Sequence, residues 1–131
     1  SLVNNTVLHT GNIITAYGKP NSNFVFTNNL VPNNEYGVIG DGSQTGMVTI
    51  ANYLPESVFK KNVIVGGPSA LYPKKNFFPR SFEEVGFIDL AEGNYRLAAT
   101  SAYKNAGVKG KDVGADLDAI EAARNGAPAD R

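Results

Sequence analysis

The sequence predicts an all-β protein built as a parallel β-solenoid, and three observations predict it. Short bursts of strand-forming residues fill positions 1–100, and strong helix formers are scarce before Leu117. Each burst ends at Gly, Pro, Asn or Asp, as strands bounded by turns do. Three bursts carry the same echo, an Asn ahead of two or more apolar residues, in VNNTVLH (3–9), FTNNLVP (26–32) and FKKNVIV (59–65).

Taken in order, the bursts are NNTVLHT (4–10), NIITAYG (12–18), NFVFTNNLV (23–31), YGVIG (36–40), MVTIANYL (47–54) and SVFKKNVIVGG (57–67). Without helices between them βαβ units are excluded, which leaves a sandwich, a barrel or a solenoid. The echo favours the solenoid. Asn5, Asn29 and Asn62 are its aligned asparagines, separated by 24 and 33 residues. The first step suits one coil of three short strands, and the second suits a coil with an inserted loop. Asn tolerates left-handed corners, and its amide can bond to its copy one rung away, about 4.8 Å distant. The competing readings are hairpin loops punctuated by Asn and a β-sandwich adhesin, both of which demand antiparallel strands.

The second half changes character. Residues 68–86 (PSALYPKKNFFPRSFEEVG) hold three prolines and mixed charge, and are expected to form a loop or cover segment. Its apolar members, Leu71, Tyr72, Phe77, Phe78 and Phe82, are expected to pack on an outer face or the mouth of the coils. FIDL (87–90) and NYRLAATS (94–101) follow as extended pieces around a turn. A short helix is expected over 116–124. Leu117, Ile120 and Ala123 form its stripe, Asp116 or Asp112 its cap, and Gly126 its stop. Asp118 in its first turn and Arg124 in its last suit the helix dipole. The expected units are therefore coils over 1–67, cover over 68–86 and a closing segment over 87–131.

Composition removes several function classes. The 131 residues suit one domain or part of one, and 42% of them are hydrophobic, enough for a core. Net charge is zero with 18% charged residues, which argues against nucleic acid or an anionic membrane as partner. Without cysteine there are no disulfides or thiolate metal sites. No apolar run approaches the roughly 20 residues of a membrane helix. The start at SLVNNTVLH reads as the interior of a longer or processed protein.

The closing residues resemble a known family. Phe87 and Asp89, then Asn94-Tyr95-Arg96-Leu97, then Ser101-Ala102 with Gly107, then Asp112-Val113-Gly114-Ala115, are similar to the C-terminal closing segment of secreted bacterial right-handed parallel β-helix proteins of the pectate-lyase-like superfamily. Ala102 stands where that pattern often has Pro. The resemblance implies a right-handed parallel β-helix of two to three coils, a closing segment with a short α-helix, and a secreted or cell-surface setting. It implies polysaccharide as partner, with upstream coils or self-association at an open N-terminal end. On this reading the chain is a non-catalytic structural cap whose surface binds carbohydrate. The rival reading is part of a polysaccharide lyase or glycoside hydrolase acting on uronate-rich polysaccharide.

The catalytic motifs of that rival are not found. Asn-Thr-Asp, Asp-Asp, Gly-His-Gly and Arg-Ile-Lys, which mark polygalacturonases, do not occur. No catalytic residue is therefore assigned. Ligand-binding candidates are Tyr36 and Tyr72, whose rings could stack on sugars, with Asp41 and Arg80 as charged partners. Asn5, Asn29, Asn62, Asp112, Gly114 and Asp116 are assigned structural roles. Asp112, Gly114, Asp116 and Asp118 do not fit a helix–loop–helix calcium loop, because the Gly comes too early. No metal or other cofactor is expected, and an irregular calcium site is the alternative.

Overall fold

Left-handed corners cut the chain into very short strands. Asn4, Asn28 and Lys61 have φ of 58°, 59° and 58°, and they directly precede Asn5, Asn29 and Asn62. In a computed structural model that describes residues 1–126, the strands are β1 (Leu2–Val3), β2 (Ile14–Ala16), β3 (Val25–Thr27), β4 (Leu30–Pro32), β5 (Val38–Gly40), β6 (Val58–Lys60), β7 (Val63–Val65), β8 (Phe87–Asp89) and β9 (Asn94–Leu97). The α-helices are α1 (Met47–Tyr53) and α2 (Leu117–Gly126), with short 3-10 turns at Ser69–Leu71, Phe82–Glu84 and Val108–Gly110. Residues 127–131 of the expected closing segment lie outside the described residues.

The strands assemble into four small sheets. β1, β3 and β6 pair in parallel, with Leu2 opposite Phe26 and Phe26 opposite Phe59. β2 pairs in parallel with β5, and β4 with β7, where Leu30 faces Val63. Single bridges at Thr6–Leu30 and Val63–Phe77 flank the β4–β7 pair on either side. β8 and β9 form an antiparallel pair.

This corrects the expected architecture. The chain is not all-β, and its strands do not join into the right-handed parallel β-helix of two to three coils. Four separate sheets of two or three strands are present, with neither a solenoid nor a closed sheet. The reason lies in the corners, where left-handed Asn4, Asn28, Lys61 and Gly66 end β1, β3, β6 and β7 after two or three positions. The burst MVTIANYL, expected as a strand, forms α1 instead. Ile50 and Leu54, four apart, turn inward with Thr49, while Met47 and Val48 stay exposed.

Strand alternation divides the core into two clusters. On β4 and β7, Val31 and Ile64 face a cluster with Phe26, Phe59, Val38, Ile50 and Leu54. Leu30, Val63 and Val65 face the opposite way, onto Val85, Leu97 and Val113. The closing residues therefore clad the flank of the β4–β7 pair. They are anchored along its length, since Val108 N–H donates to Asn28 Oδ1 and Gly114 N–H to the Asn28 carbonyl, at 2.6 and 2.7 Å. Ala115 N–H donates to Thr6 Oγ1 at 2.8 Å, and the Phe77 ring packs on Tyr103 at 5.5 Å.

Aromatic rings line the first cluster. Phe26 lies over Phe59 at 5.0 Å, Phe59 over Tyr72 at 6.2 Å, and Tyr72 beside Phe78 at 5.8 Å. Tyr72 is 1% exposed. Its hydroxyl donates to Asn33 Oδ1 at 2.6 Å and accepts from Val38 N–H at 3.1 Å. Burial pushes this phenol above its ordinary pKa, with the Val38 bond opposing. Tyr72→Phe is predicted to leave Val38 N–H unpaired in a dry core and to cost about 1–3 kcal/mol. Urea unfolding with unchanged m-value checks it, and a loss under about 0.3 kcal/mol would show that the hydroxyl is dispensable.

Candidate functional site

A column of four asparagine amides runs through the parallel ladders. The Asn5 backbone N–H and Nδ2 both donate to Asn29 Oδ1, at 3.0 and 2.9 Å. Asn29 repeats the pair onto Asn62 Oδ1 at 2.9 and 3.2 Å, and Asn62 repeats it onto Asn76 Oδ1 at 3.0 and 3.0 Å. The second amide hydrogen returns to a strand carbonyl. Asn29 reaches Leu2, Asn62 reaches Phe26 and Asn76 reaches Phe59, at 2.9, 2.9 and 3.2 Å. Asn29 and Asn62 are buried, so these bonds satisfy groups that water cannot reach. Asn76 was not singled out from the sequence. Its step from Asn62 is 14 residues, inside a segment read as loop.

The ligand-binding candidates do not converge. Tyr72 is a core residue, so its sugar-stacking role is corrected: its ring is enclosed by Phe59 and Phe78. Tyr36 is 49% exposed, and hydrogen bonding to the adjacent Glu35 raises its phenol pKa. Asp41 is exposed in a turn, where its carbonyl accepts from the Tyr53 hydroxyl and its N–H donates to Ala16. The Arg80 side chain is 92% exposed and lies 3.7 Å from Glu84. It borders a shallow depression with Asn34, Phe82 and Leu90, to which Tyr36, Asp41 and Tyr72 contribute nothing.

The larger cleft, about 480 Å³, lies where β9 meets the segment leading into α2. Its walls include Asn4, Tyr95, Arg96, Lys104, Asp112 and Asp118. Four of its charges are engaged in ion pairs, while Lys111, also in the wall, makes none among the described residues. Arg96 bonds Asp118 at 2.8 Å and Glu121 at 2.6 Å, and Lys104 bonds Asp112 at 2.9 Å. The Asp118 hydrogen bond raises the Arg96 guanidinium pKa against partial burial. Asp116 Oδ1 accepts from Ala119 N–H at 2.9 Å and caps α2. Asn4 Nδ2 donates to the carbonyls of Asp112 and Gly114 at 3.4 and 3.3 Å. Gly114 has φ of 98°, and a Cβ there would come within 2.6 Å of Thr6 Oγ1. The expected apolar stripe of α2 is not buried, since Ile120 is 55% exposed and Ala123 also faces out.

Calcium does not fit this donor set. The Asp112 carboxylate already holds Lys104 and the Asn105 N–H, Asp118 and Glu121 hold Arg96, and Asp116 holds the helix start. Among the described residues no group of three or more His, Cys, Asp or Glu could hold a metal ion. His9 Nε2 lies 3.1 Å from the Asn12 carbonyl, and its Nδ1 lies 3.3 Å from Asn34 Nδ2.

Burial raises the Asp112 carboxyl pKa, but the Lys104 hydrogen bond, the Asn105 N–H and the Lys104 charge together hold it below the usual range. A depressed carboxylate adds stability above its unfolded pKa, about 3.9, and loses it as pH falls through the folded value. The Asp112 side chain is 38% exposed, so solvent screening limits the contribution to about 1 kcal/mol or less. Asp112→Asn is predicted to flatten the acid limb of a stability–pH curve below about pH 4. An unchanged limb would remove Asp112 from the acid response.

Comparison with protein-family models, with curated proteins and with solved structures returned no match. No helix among the described residues is long and apolar enough to cross a membrane.

Proposed function

We propose that the chain is a non-catalytic structural module of an extracellular protein, requiring no cofactor, in which a segment clads and locks a set of parallel strand ladders. The observation that carries this reading is the attachment of the closing residues to the ladders through Asn28 and Thr6, with most of their cleft charges engaged among themselves. Arg96, Lys104, Asp112, Asp116 and Asp118 each serve an ion pair or a helix cap that fixes the closing residues in place. The ion pairs and the cap give each of these side chains a structural role within the closing residues, which accounts for them without a catalytic one. The extracellular setting is supported by the resemblance of residues 86–119 to secreted bacterial proteins.

The test is incubation with pectin, alginate and related uronates, with and without calcium, following both turnover and binding. The expected result is no turnover. Cleavage that disappears in Asp41→Asn or Arg80→Gln would overturn the reading in favour of a lyase or hydrolase. Glycan binding without turnover, lost in Tyr36→Ala, would keep the module non-catalytic and assign carbohydrate recognition to its surface.

A further inference from the structure

The asparagine column has a direction, and it is complete at one end only. At each inner step an amide oxygen accepts two donors from the preceding Asn, its backbone N–H and its Nδ2. Asn5 Oδ1 alone in the column has no donor among the described residues. Its Nδ2 also behaves differently. Asn29, Asn62 and Asn76 return a hydrogen to a strand carbonyl one rung back, whereas Asn5 turns to Val3 in its own segment, at 3.3 Å. Thr6, beside it, has neither its backbone N–H nor its carbonyl paired among the described residues.

Apolar side chains end on the same face. Leu2 is the next position of the Phe26–Phe59 column and is 47% exposed, with Val3 at 43% and Leu8 at 41%. Val7, Ile13 and Ile14 pack on the core from this side and are half-buried. Unpaired strand groups flanking an apolar centre form a template for strand addition.

We propose that the edge made by Leu2–Val3, Asn5–Val7 and Ile14–Ala16 docks a parallel polypeptide segment that places an apolar residue over Leu2 and an asparagine over Asn5. That asparagine donates its backbone N–H and Nδ2 to Asn5 Oδ1 and frees Asn5 Nδ2 to reach the incoming strand. A second copy of this chain does not meet the requirement. Its opposite end terminates in Asn76, whose Nδ2 is engaged by the Phe59 and Pro73 carbonyls. A two-fold contact would set Asn5 against Asn5 with the strands antiparallel. The inference goes beyond the structural reading above, since glycan turnover would defeat that reading and leave this edge as it is.

The chain supplies its own probe. Residues 1–24 span one repeat of the first step, because Asn5 and Asn29 are 24 residues apart. A second copy of residues 1–24 placed ahead of Ser1 holds a matched segment at high local concentration. The expected result is a rise of roughly 1 M in the urea midpoint, with the added segment resistant to protease. Changing the added asparagine that corresponds to Asn5 to Ala should abolish at least half of that rise. An unchanged midpoint with rapid cleavage of the added segment overturns the proposal, as does a rise that the Ala change leaves intact. Sedimentation of the chain without the addition tests self-docking. A monomer agrees with the proposal, and a dimer dissolved by Leu2→Lys contradicts it.

Discussion

Asn62→Ala is expected to destabilise the protein by about 3–5 kcal/mol, while Asn5→Ala costs under about 1 kcal/mol. The two residues share a chemistry and differ in burial and in what they leave behind. Asn62 is fully buried. Its Oδ1 is the acceptor for the Asn29 backbone N–H and for one hydrogen of Asn29 Nδ2. Its Nδ2 supplies Phe26 and Asn76. Truncation orphans two donors and strips a hydrogen bond from two acceptors, each orphan costing about 1–3 kcal/mol away from water. Asn5 lies at the open end, and Asn5→Ala leaves Asn29 Oδ1 still bonded to the Asn5 backbone N–H. Asn62→Asp separates hydrogen bonding from size. A carboxylate accepts both Asn29 hydrogens but cannot supply Phe26 and Asn76, and it brings an unpaired charge into the interior. Its loss should match or exceed that of Ala at pH 7 and shrink as the solution is acidified toward protonation. Urea denaturation of the three variants measures the series. A loss for Asn62→Ala under about 1 kcal/mol, no larger than that of Asn5→Ala, would mean that the column has no energetic role.

The column was legible because the same letter recurs just after each of the paired strands β1, β3 and β6. Asn5, Asn29 and Asn62 stand at spacings set by the chain length between equivalent corners, and the residues before them, Asn4, Asn28 and Lys61, share the left-handed backbone. Asn76 was not legible, because a 14-residue step carries no repeat. α1 was missed for a different reason. Its sequence is rich in β-branched residues, and its helical face is only Thr49, Ile50 and Leu54, too short for a period to emerge. Tyr72 was misassigned as a ligand platform because its role depends on Val38 and Asn33, 34 and 39 residues away, which local patterning does not encode. Residue type and position narrowed the cap of α2 to Asp116 or Asp112, and Asp116 takes it. The ion pairs that engage Asp118 and Glu121 were not legible, since Arg96 comes from another element, 22 and 25 residues away.

Gly46→Ala is expected to cost about 2–4 kcal/mol and to lower the melting temperature by on the order of 10 °C. Gly46 joins β5 to α1 at φ 84° and ψ −129°, a conformation that an L side chain tolerates poorly. A Cβ at this position would meet the Leu71 carbonyl oxygen at 2.0 Å and its carbon at 2.8 Å. Both are backbone atoms, so no rotamer change relieves the overlap. The Leu71 turn can retreat only by dragging Tyr72, whose hydroxyl holds Val38 and Asn33. Gly46 cannot retreat freely either, because its N–H donates to the Val38 carbonyl at 2.8 Å and its carbonyl accepts from Ile50 at 3.0 Å. The strain is therefore shared between α1 and the end of the aromatic stack. Gly42→Ala is the matched control. It also has a left-handed φ, 70°, but open space where a Cβ would stand, so it should lose only the backbone cost of about 1 kcal/mol. Thermal unfolding of the pair separates steric from conformational cost. Similar losses in the two variants would show that the Leu71 turn yields without resistance, and that α1 is held less firmly than its contacts with Val38 and Leu71 require.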